Sequence, residues 1–310
     1  MTATTAEASR GGRHRVLVAG RTGQLGFELA RARWPAGLEV VPVGRDTLDL
    51  ADPEAAAAVV RDGRFALVIN AAAYTAVDQA ESEEDRATHI NADGPRALAM
   101  ACTDAGIPLI HVSTDYVFDG TKAGPYTEDD PVAPLGAYGR SKLAGEVAVR
   151  AECPHHVIVR TAWVFSAHGK NFVKTMLRLA AEKPDLRVVA DQHGCPTAAH
   201  DLARALIEIA RQLVLEGRTD AFGTYHFAGA GPTTWHGFAE AIVAAQGART
   251  GKHPPVHPIP TADFPTPARR PANSVLATDR IAATFGVAPR PWRETLAEVL
   301  ADLGATAPAR

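Results

Sequence analysis

The stretch RVLVAGRTGQLGFELARAR, residues 15–33, decides the fold of this chain. It opens with an apolar run at residues 15–19, which predicts a short buried strand, and it continues into a helical pattern. Between the two, Gly20, Gly23 and Gly26 follow the spacing G-x-x-G-x-x-G. Glycines at such a turn let the backbone approach a pyrophosphate, which the first amides of the helix can bind. The stretch therefore favours a dinucleotide site over a glycine-rich turn without a ligand.

Short apolar runs and helical patterns continue to alternate along the first half of the chain. Apolar runs predict four more strands, at residues 38–43, 66–70, 109–112 and 156–160. Helices are predicted between them, including one long helix from Glu81 to near Gly106. Strands that alternate with helices in this way form parallel sheets covered on both faces. We therefore expect an α/β fold with a Rossmann-type, doubly wound parallel sheet.

The alternation becomes irregular beyond residue 162 and indicates a smaller C-terminal α/β lobe for substrate. Its predicted elements are helices at 172–182, 201–215 and 235–245 and strands at 187–190 and 224–228. Residues 253–271 are rich in proline, so we expect an ordered loop without regular structure there. The predicted division is a flexible tail at 1–14, a dinucleotide-binding domain at 15–170 and a mainly substrate-binding lobe at 171–310, with a strand near 223–228 as a candidate to rejoin the sheet of the first domain.

Composition and charge exclude several classes of protein. The chain has 310 residues, 46% of them hydrophobic, and a net charge of −3 from 32 basic and 35 acidic residues. This composition is typical of a folded protein, and it supplies no positive field for nucleic acid or for an anionic membrane. Cys102, Cys153 and Cys195 are odd in number and widely separated, as expected of reduced thiols. We expect a cytoplasmic protein with neither a nucleic-acid nor a membrane partner.

The end of the second predicted strand bears on which dinucleotide binds. Gly44 lies where an acidic residue for the adenosine ribose is often found, and Arg45 follows it. An arginine at this point favours a 2′-phosphate and hence NADPH. The alternative is that Arg45 is a solvated loop charge neutralised by Asp46. The small residues 71–73, which end the third strand, either let a ribose lie against backbone or simply pack closely.

Tyr138 and Lys142 are four residues apart on a predicted helix, so their side chains share one face. A neighbouring ammonium and a cationic nicotinamide would lower the pKa of the phenol and make Tyr138 a general acid or base. Thr114, at the end of the fourth strand, would donate a hydrogen bond to the same substrate oxygen. The Y-x-x-x-K pair alone occurs by chance in many helices. Its order after the glycine turn and Thr114 makes a catalytic triad the better interpretation.

Eight motifs together resemble one family of nucleotide-sugar reductases. They are GRTGQLG (20–26), NAAAYTAVDQAE (70–81), HVSTDYVFDG (111–120), APLGAYGRSKLAGE (133–146), RTAWVF (160–165), NFVKTML (171–177), DQHGCPT (191–197) and PTPARRPANS (265–274). The chain thereby resembles the dTDP-4-dehydrorhamnose reductases of the extended short-chain dehydrogenase/reductase superfamily, over nearly its whole length after the tail. The resemblance implies an NAD(P)H-dependent oxidoreductase that reduces the 4-keto group of dTDP-4-dehydro-L-rhamnose to give dTDP-L-rhamnose.

The resemblance also implies roles for individual residues. Tyr138 would supply the proton, and Lys142 would hold the nicotinamide ribose. With the glycine turn, the expected contacts of NADPH or NADH are Gly20, Gly23, Gln24, Leu25, Gly26, Arg45, Asp49, Leu50, Ala71, Ala72, Ala73, Tyr74, Thr75, Tyr138 and Lys142. The expected contacts of the dTDP-sugar are Thr114, Asp115, Tyr116, Trp163, Asn171 and Arg269. An indole suits the C–H groups of a sugar, although Trp163 could equally be a core residue. A guanidinium suits a diphosphate, although the sequence does not distinguish Arg269 from Arg270.

Some members of the family bind Mg²⁺ between subunits through carboxylates. Glu28 fits the first such position, but His200 falls where another acid would be, which argues against a metal-bridged dimer because Mg²⁺ prefers oxygen ligands. We therefore expect no metal ion, and either a monomer or a homodimer. Two other functions remain open from the sequence: another dTDP-sugar 4-ketoreductase or epimerase, and a non-catalytic NADP-binding regulatory subunit.

Overall fold

The computed structural model of the chain describes residues 13–305. The strands are β1 (His14–Ala19), β2 (Leu38–Val43), β3 (Leu67–Asn70), β4 (Leu109–Thr114), β5 (His156–Thr161), β6 (Val164–Phe165), β7 (Leu186–Val189), β8 (His193–Gly194), β9 (Thr197–Ala198), β10 (Gly223–His226), β11 (Thr233–Thr234) and β12 (Val256–Ile259). The helices are α1 (Gln24–Arg31), α2 (Pro53–Asp62), α3 (Val77–Ala80), α4 (Glu84–Thr88), α5 (Gly94–Asp104), α6 (Ala137–Glu152), α7 (Phe172–Glu182), α8 (Ala199–Leu215), α9 (Trp235–Thr250), α10 (Asp279–Phe285) and α11 (Trp292–Ala305).

Six parallel strands form the main sheet, in the order β10-β5-β4-β3-β1-β2. The Rossmann-type doubly wound fold is thereby confirmed. β10 pairs with β5 although the chain passes through much of the C-terminal lobe between them. β1 begins at His14, the last residue of the predicted tail, and residues 1–12 of that tail lie outside the described residues. No described helix is both long and apolar enough to cross a bilayer.

Both faces of the sheet are buried under helices. Alternate residues of β1 point to opposite faces: Val16 and Val18 pack in the core cluster that includes residues of α1 and α8. Leu17 and Ala19 pack in the cluster that includes residues of α2, α5 and α6. Each large apolar side chain fully buried in this way stabilises the fold by about 1.5–3 kcal/mol. The continuous apolar runs that predict the strands follow from this burial on two sides.

The long helix predicted from Glu81 to near Gly106 is present as one helical segment that begins at Glu84 and ends at Asp104, with a π-helical turn at His89–Asp93 between α4 and α5. Pro95 follows this turn and has no N–H to donate to the carbonyl four residues earlier, which is a common cause of such an irregularity within a helix. The turn also packs closely on α6: a Cβ at Gly145 would lie 2.0 Å from the Asn91 carbonyl oxygen. Ile90 of this turn lines the cavity described below.

The C-terminal lobe has its own core, in which α7, α9 and α11 surround β7. The expectation that residues 253–271 lack regular structure is wrong, because β12 pairs in parallel with β7 and aligns Pro258 with Val188. This sheet has only two strands, so β12 has a free edge where a proline without an N–H is tolerated. The sequence analysis makes no prediction for α10 and α11, which complete the lobe.

Candidate active site

A cavity of about 590 Å³ lies at the carboxyl ends of the main-sheet strands. It lies where the strand order reverses beside β1, the usual ligand position in such sheets. The predicted site residues that line it are Gly20, Gly23, Gln24, Leu25, Arg45, Asp49, Leu50, Ala71, Ala72, Ala73, Thr75, Thr114, Asp115, Tyr116, Tyr138, Lys142 and Trp163. Those that are absent from its lining are Gly26, Tyr74, Asn171 and Arg269.

The glycine turn begins the cavity wall, and its three glycines differ in role. Gly20 has a φ of +99°, and a Cβ on it would lie 2.9 Å from the backbone of Ala71. Gly23 is the N-cap of α1 and brings no side chain to the start of the helix, where Gln24 and Leu25 line the cavity. A Cβ on Gly26 would lie 2.0 Å from the carbonyl oxygen of Gly20, so Gly26 allows the turn to pack rather than contacting a ligand. The turn and the helix start form a cradle that fits a pyrophosphate.

Two arginines lie at the end of β2. Arg45 lines the cavity, and its side chain is 77% exposed with only a long contact of 3.9 Å to Asp49. Asp46 does not neutralise Arg45 but pairs with Arg21, at 3.2 Å between Nη2 and Oδ1. A Cβ on Gly44 would lie 2.6 Å from Asp46 Oδ1, so this glycine makes room for the pair. Arg21 is not among the residues predicted from sequence, where its place inside the glycine turn is a weak signal.

Tyr138 and Lys142 project from the first two turns of α6 into the cavity. Burial raises the pKa of Tyr138 to about 12, although the Thr114 hydroxyl partly counteracts this. In the protein without its cofactor, desolvation therefore determines the pKa of the phenol, and the lowering expected from Lys142 together with a cationic nicotinamide stays a prediction. Burial lowers the pKa of Lys142 to about 8, against the influence of Glu146. Its Nζ donates to the Val112 carbonyl oxygen at 2.8 Å.

Thr114 and Asp115 share a hydrogen bond whose direction depends on protonation. Thr114 Oγ1 lies 2.9 Å from Asp115 Oδ1 and accepts the N–H of Tyr116 at 3.2 Å. Burial raises the pKa of Asp115 to about 6, while the hydroxyls of Ser274 and Thr114 lower it. An ionised Asp115 accepts the hydrogen bond of the Thr114 hydroxyl. A protonated Asp115 donates instead and leaves the Thr114 hydroxyl free to donate to a ligand.

Three buried polar atoms of the cavity residues lack a hydrogen-bond partner among residues 13–305: Ser113 Oγ, Asp115 Oδ2 and Thr161 Oγ1. A buried polar atom without a partner costs free energy, so such atoms are uncommon in folded proteins. Their concentration at one cavity fits a site whose polar ligand completes these bonds.

Trp163 lies on the wall of the cavity in a strained backbone conformation, with a φ of +48°. Its ring stacks on Trp235, with centroids 3.5 Å apart and an interplanar angle of 7°. The absence of a side chain at Gly194 makes room for the indole, since a Cβ there would lie 2.4 Å from it. A non-glycine residue rarely adopts this backbone conformation except where surrounding contacts hold it, and it occurs most often at functional sites.

A second cavity, of about 280 Å³, lies in the C-terminal lobe. Trp235 lines it, so the cavity adjoins the stack of Trp163 on Trp235. Its other lining residues are Phe172, Arg187, Val188, Val189, Gln192, Phe264, Thr266 and Arg270. Arg270 forms a bidentate pair with Asp78, at 3.0 and 2.9 Å. Arg269 is exposed and lines neither cavity. Of the two neighbouring arginines, Arg270 therefore faces a cavity and Arg269 does not.

Asn171 and Tyr74 have structural partners instead of facing the cavity. Asn171 caps α7, and its Nδ2 donates to Gln24 Oε1 at 2.9 Å and to the Ser166 carbonyl oxygen at 2.7 Å. Its amide is thereby occupied, and its effect on the cavity is to hold Gln24. The phenol of Tyr74 donates to Glu83 at 3.1 Å, which directs it away from the cavity.

A buried ion pair fixes α6 to the sheet one turn beyond Lys142. Arg160 of β5 donates to both carboxylate oxygens of Glu146, at 2.8 and 2.7 Å. Burial opposes ionisation of Glu146, but the guanidinium outweighs it and lowers the pKa of the carboxyl. The sequence analysis did not identify this pair, because the two residues meet only when α6 packs on β5.

The two residues at positions where some family members bind Mg²⁺ have internal partners. Glu28 accepts from Arg31 at 2.5 Å and from Ser166 at 2.8 Å, one bond to each oxygen. His200 lies 2.9 Å from Glu298. Within residues 13–305 no group of three or more His, Cys, Asp or Glu side chains is placed to hold a metal ion. These residues do not fit a Mg²⁺ site, because both oxygens of Glu28 are already occupied.

Comparison with known proteins finds several relatives and solved structures named dTDP-4-dehydrorhamnose reductase. A curated dTDP-4-dehydrorhamnose reductase of Sinorhizobium fredii is 46% identical over 281 residues, which cover 91% of this chain and 95% of that protein. The crystal structure of a dTDP-4-dehydrorhamnose reductase from Clostridium acetobutylicum is 40% identical, with a TM-score of 0.85, covering 94% of this chain and 99% of that one. The enzyme from Bacillus anthracis in complex with NADP is 36% identical, also with a TM-score of 0.85, covering 94% and 100%.

The family model described as the RmlD substrate binding domain matches residues 14–305, nearly the whole described chain. Together with the relatives above, this match shows that the chain belongs to the RmlD family, that of the dTDP-4-dehydrorhamnose reductases.

Proposed function

We propose that this chain reduces the 4-keto group of dTDP-4-dehydrorhamnose, with hydride from NADPH and a proton from Tyr138. One observation carries the proposal: Thr114, Tyr138 and Lys142 line the same cavity as the glycine turn. A ketone placed there would contact a proton donor and a hydrogen-bonding hydroxyl on the same wall. Two curated relatives named dTDP-4-dehydrorhamnose reductase are 46% identical to this chain over 91% and 93% of its length, which supports the same reduction here.

A bound reduced nicotinamide supplies the hydride, and the chain's own residues handle the proton. Because the pKa of Tyr138 is about 12, its phenol is fully protonated at neutral pH, as a proton donor must be before reduction. As the C–H bond forms, the O–H bond of Tyr138 breaks and its proton goes to the carbonyl oxygen. The ammonium of Lys142 stabilises the phenolate that remains. Thr114 donates to the developing oxyanion while Asp115 is neutral.

The cofactor assignment is NADPH in preference to NADH. The relative from Bacillus anthracis forms a complex with NADP. Arg21 and Arg45 lie together at the end of β2, where the adenosine ribose of a dinucleotide is held in this fold. Guanidinium groups there favour a 2′-phosphate, and the contact of the exposed Arg45 with Asp49 is long, at 3.9 Å, so it competes weakly with a phosphate. NADH binds the same cradle without this contact.

The sugar nucleotide spans the two cavities. Trp163 packs against the sugar, and the diphosphate reaches toward Arg270. The aromatic and amide side chains of the second cavity, among them Phe172, Trp235 and Gln192, suit a pyrimidine base. The stacked indoles of Trp163 and Trp235 join the two cavities and fix the distance between the sugar and the base.

Purified protein assayed with dTDP-4-dehydrorhamnose and NADPH tests the proposal. Stoichiometric loss of NADPH absorbance with formation of dTDP-rhamnose is the expected result. An epimerase would convert a dTDP-sugar without net consumption of the cofactor. A regulatory subunit would turn over none of a panel of dTDP-keto sugars and would copurify with a stoichiometric enzyme partner.

The place and assembly of the enzyme complete the proposal. The cysteines Cys102, Cys153 and Cys195 are free and buried, which supports a reducing, cytoplasmic location. The chain works as a monomer or a homodimer, which sedimentation equilibrium distinguishes.

A further inference from the structure

A row of buried, hydrogen-bonded side chains behind Lys142 takes no part in the mechanism above. Asn70 ends β3 and His111 lies in β4, and both side chains are fully buried. Asn70 Nδ2 lies 3.1 Å from His111 Nδ1. His111 Nε2 lies 3.4 Å from the Nζ of Lys142, which is also buried. This row of hydrogen-bonded side chains therefore ends at the amino group of Lys142.

One backbone amide sets the direction of every hydrogen bond in this row. The N–H of Ala72 can only donate, and its acceptor is Asn70 Oδ1, at 3.1 Å. The carboxamide of Asn70 therefore has its oxygen toward Ala72 and its NH₂ group toward His111. The reverse orientation would bring two N–H donors together and leave a buried amide without an acceptor, which costs about 1–3 kcal/mol.

The carboxamide in turn determines the tautomer of His111. Its NH₂ group donates to Nδ1, so Nδ1 carries a lone pair and the single proton of a neutral imidazole is on Nε2. This N–H points at Lys142 Nζ, which already donates to the Val112 carbonyl oxygen. An ammonium there would face another donor, whereas an amine would accept the hydrogen bond.

We propose that His111, held as its Nε2–H tautomer by Asn70, is a positioning residue that stabilises the amine form of Lys142. The inference rests on the proposed function, in which Tyr138 is left as a phenolate after each reduction. One N–H bond of the Lys142 ammonium then breaks as the O–H bond of Tyr138 re-forms. The resulting amine accepts a hydrogen bond from His111 until solvent returns a proton to it.

The charges around the two residues agree with this arrangement. Burial and the cations Lys142 and Arg150 lower the pKa of His111 far below its ordinary value, and His156 contributes in the same direction, so the ring stays neutral. On its own helix Lys142 faces Glu146, which favours the ammonium but is already paired with Arg160. Burial nevertheless lowers the pKa of Lys142 to about 8, so both of its forms are accessible near neutral pH.

Nuclear magnetic resonance of the cofactor-free protein tests the inference directly. The ¹⁵N spectrum of the imidazoles distinguishes the two tautomers of His111, whose signals are assigned by their loss in His111→Gln. The chain has only six lysines, so the ¹³Cε signal of Lys142 can be followed against pH and assigned with Lys142→Met. We expect His111 to be the Nε2–H tautomer in the unchanged protein.

Asn70→Asp reverses the direction of the hydrogen bonds in this row. The introduced carboxylate accepts from both Ala72 and His111, so the imidazole proton moves to Nδ1 and Nε2 offers a lone pair to the ammonium. The titration of Lys142 should then move to higher pH by about one unit or more. Asn91→Asp is the matched control: it adds the same buried charge beside α6, where Asn91 bonds Ser141, without touching His111.

Two results would overturn the inference. One is an Nδ1–H tautomer or a doubly protonated ring in the unchanged protein, which decides the matter even if Asn70→Asp does not fold. The other is a shift of Lys142 in Asn70→Asp no larger than that in Asn91→Asp. Neither measurement uses cofactor or substrate, so failure here is separate from a failure of the turnover assay that tests the proposed function.

Discussion

Replacing Asp115 with asparagine should stabilise the protein, although the residue lies in the candidate active site. Burial raises the pKa of this carboxyl from 3.8 to about 6. Below about pH 4 the carboxyl is protonated in both the folded and the unfolded chain, so its ionisation costs nothing. Between about pH 4 and pH 6 the unfolded chain ionises this carboxyl while the folded state still binds its proton. Stability is therefore lost over this interval and does not recover above about pH 6, where the folded state ionises as well.

The size of the effect follows from the shift. A difference of about two pKa units corresponds to about 3 kcal/mol at pH 8, at 1.36 kcal/mol per unit. Asp115→Asn removes this cost, and its amide can donate to Thr114 Oγ1 as the protonated acid does. The free energy of unfolding of the variant should exceed that of the wild type by about 3 kcal/mol at pH 8 and by about zero at pH 4.

Urea denaturation at a series of pH values measures this difference. Asp119→Asn is the control of opposite sign, because hydrogen bonds from Thr121 and Tyr126 lower the pKa of Asp119. Asp119→Asn should lose stability at pH 8, and the deficit should shrink as the pH falls. A gain for Asp115→Asn that does not depend on pH, or a loss of stability at pH 8, would refute the reasoning.

Three further predictions concern the cofactor, the core and the aromatic stack. Arg45→Ala should raise the KM for NADPH about tenfold and leave that for NADH unchanged, since only a 2′-phosphate loses a charged partner; equal rises would exclude this role. Glu146→Gln should lower the free energy of unfolding, measured in urea, by about 3–5 kcal/mol, because Arg160 stays buried without its carboxylate partner. A loss of less than about 1 kcal/mol would contradict this role of the ion pair. Gly194→Ala should displace Trp163, which should change its fluorescence and raise the KM for the dTDP-sugar. An unchanged KM would show that Trp163 does not contact the substrate.

The main sheet is predictable from the sequence because its strands are buried on both faces. All four residues of β3 are buried, and such continuous apolar runs are distinct from the mixed patterns of the helices. The order of the glycine turn, Thr114 and Tyr138 likewise predicts their convergence, since parallel strands bring their carboxyl ends to one edge. What these predictions share is that each depends on local pattern and known topology.

The features that sequence does not predict depend on contacts between distant segments. Arg269 and Arg270 are neighbours of the same type, and only the packing of their loop on Asp78 decides which one faces a cavity. Asn171 has the residue type of a phosphate contact but is used as a helix cap. The pKa of Tyr138 depends on how deeply the phenol is buried, which spacing along a helix does not reveal.

Tyr138→Phe tests the central claim most directly, by comparing reduction of dTDP-4-dehydrorhamnose with NADPH affinity in one preparation. Loss of the phenolic proton should lower kcat by about 10²–10⁴-fold, with the dissociation constant for NADPH nearly unchanged. Tyr126→Phe, which removes a phenol bonded to Asp119 outside the cavity lining, should keep the wild-type rate. A Tyr138→Phe variant that reduces the substrate at close to the wild-type rate would contradict the account.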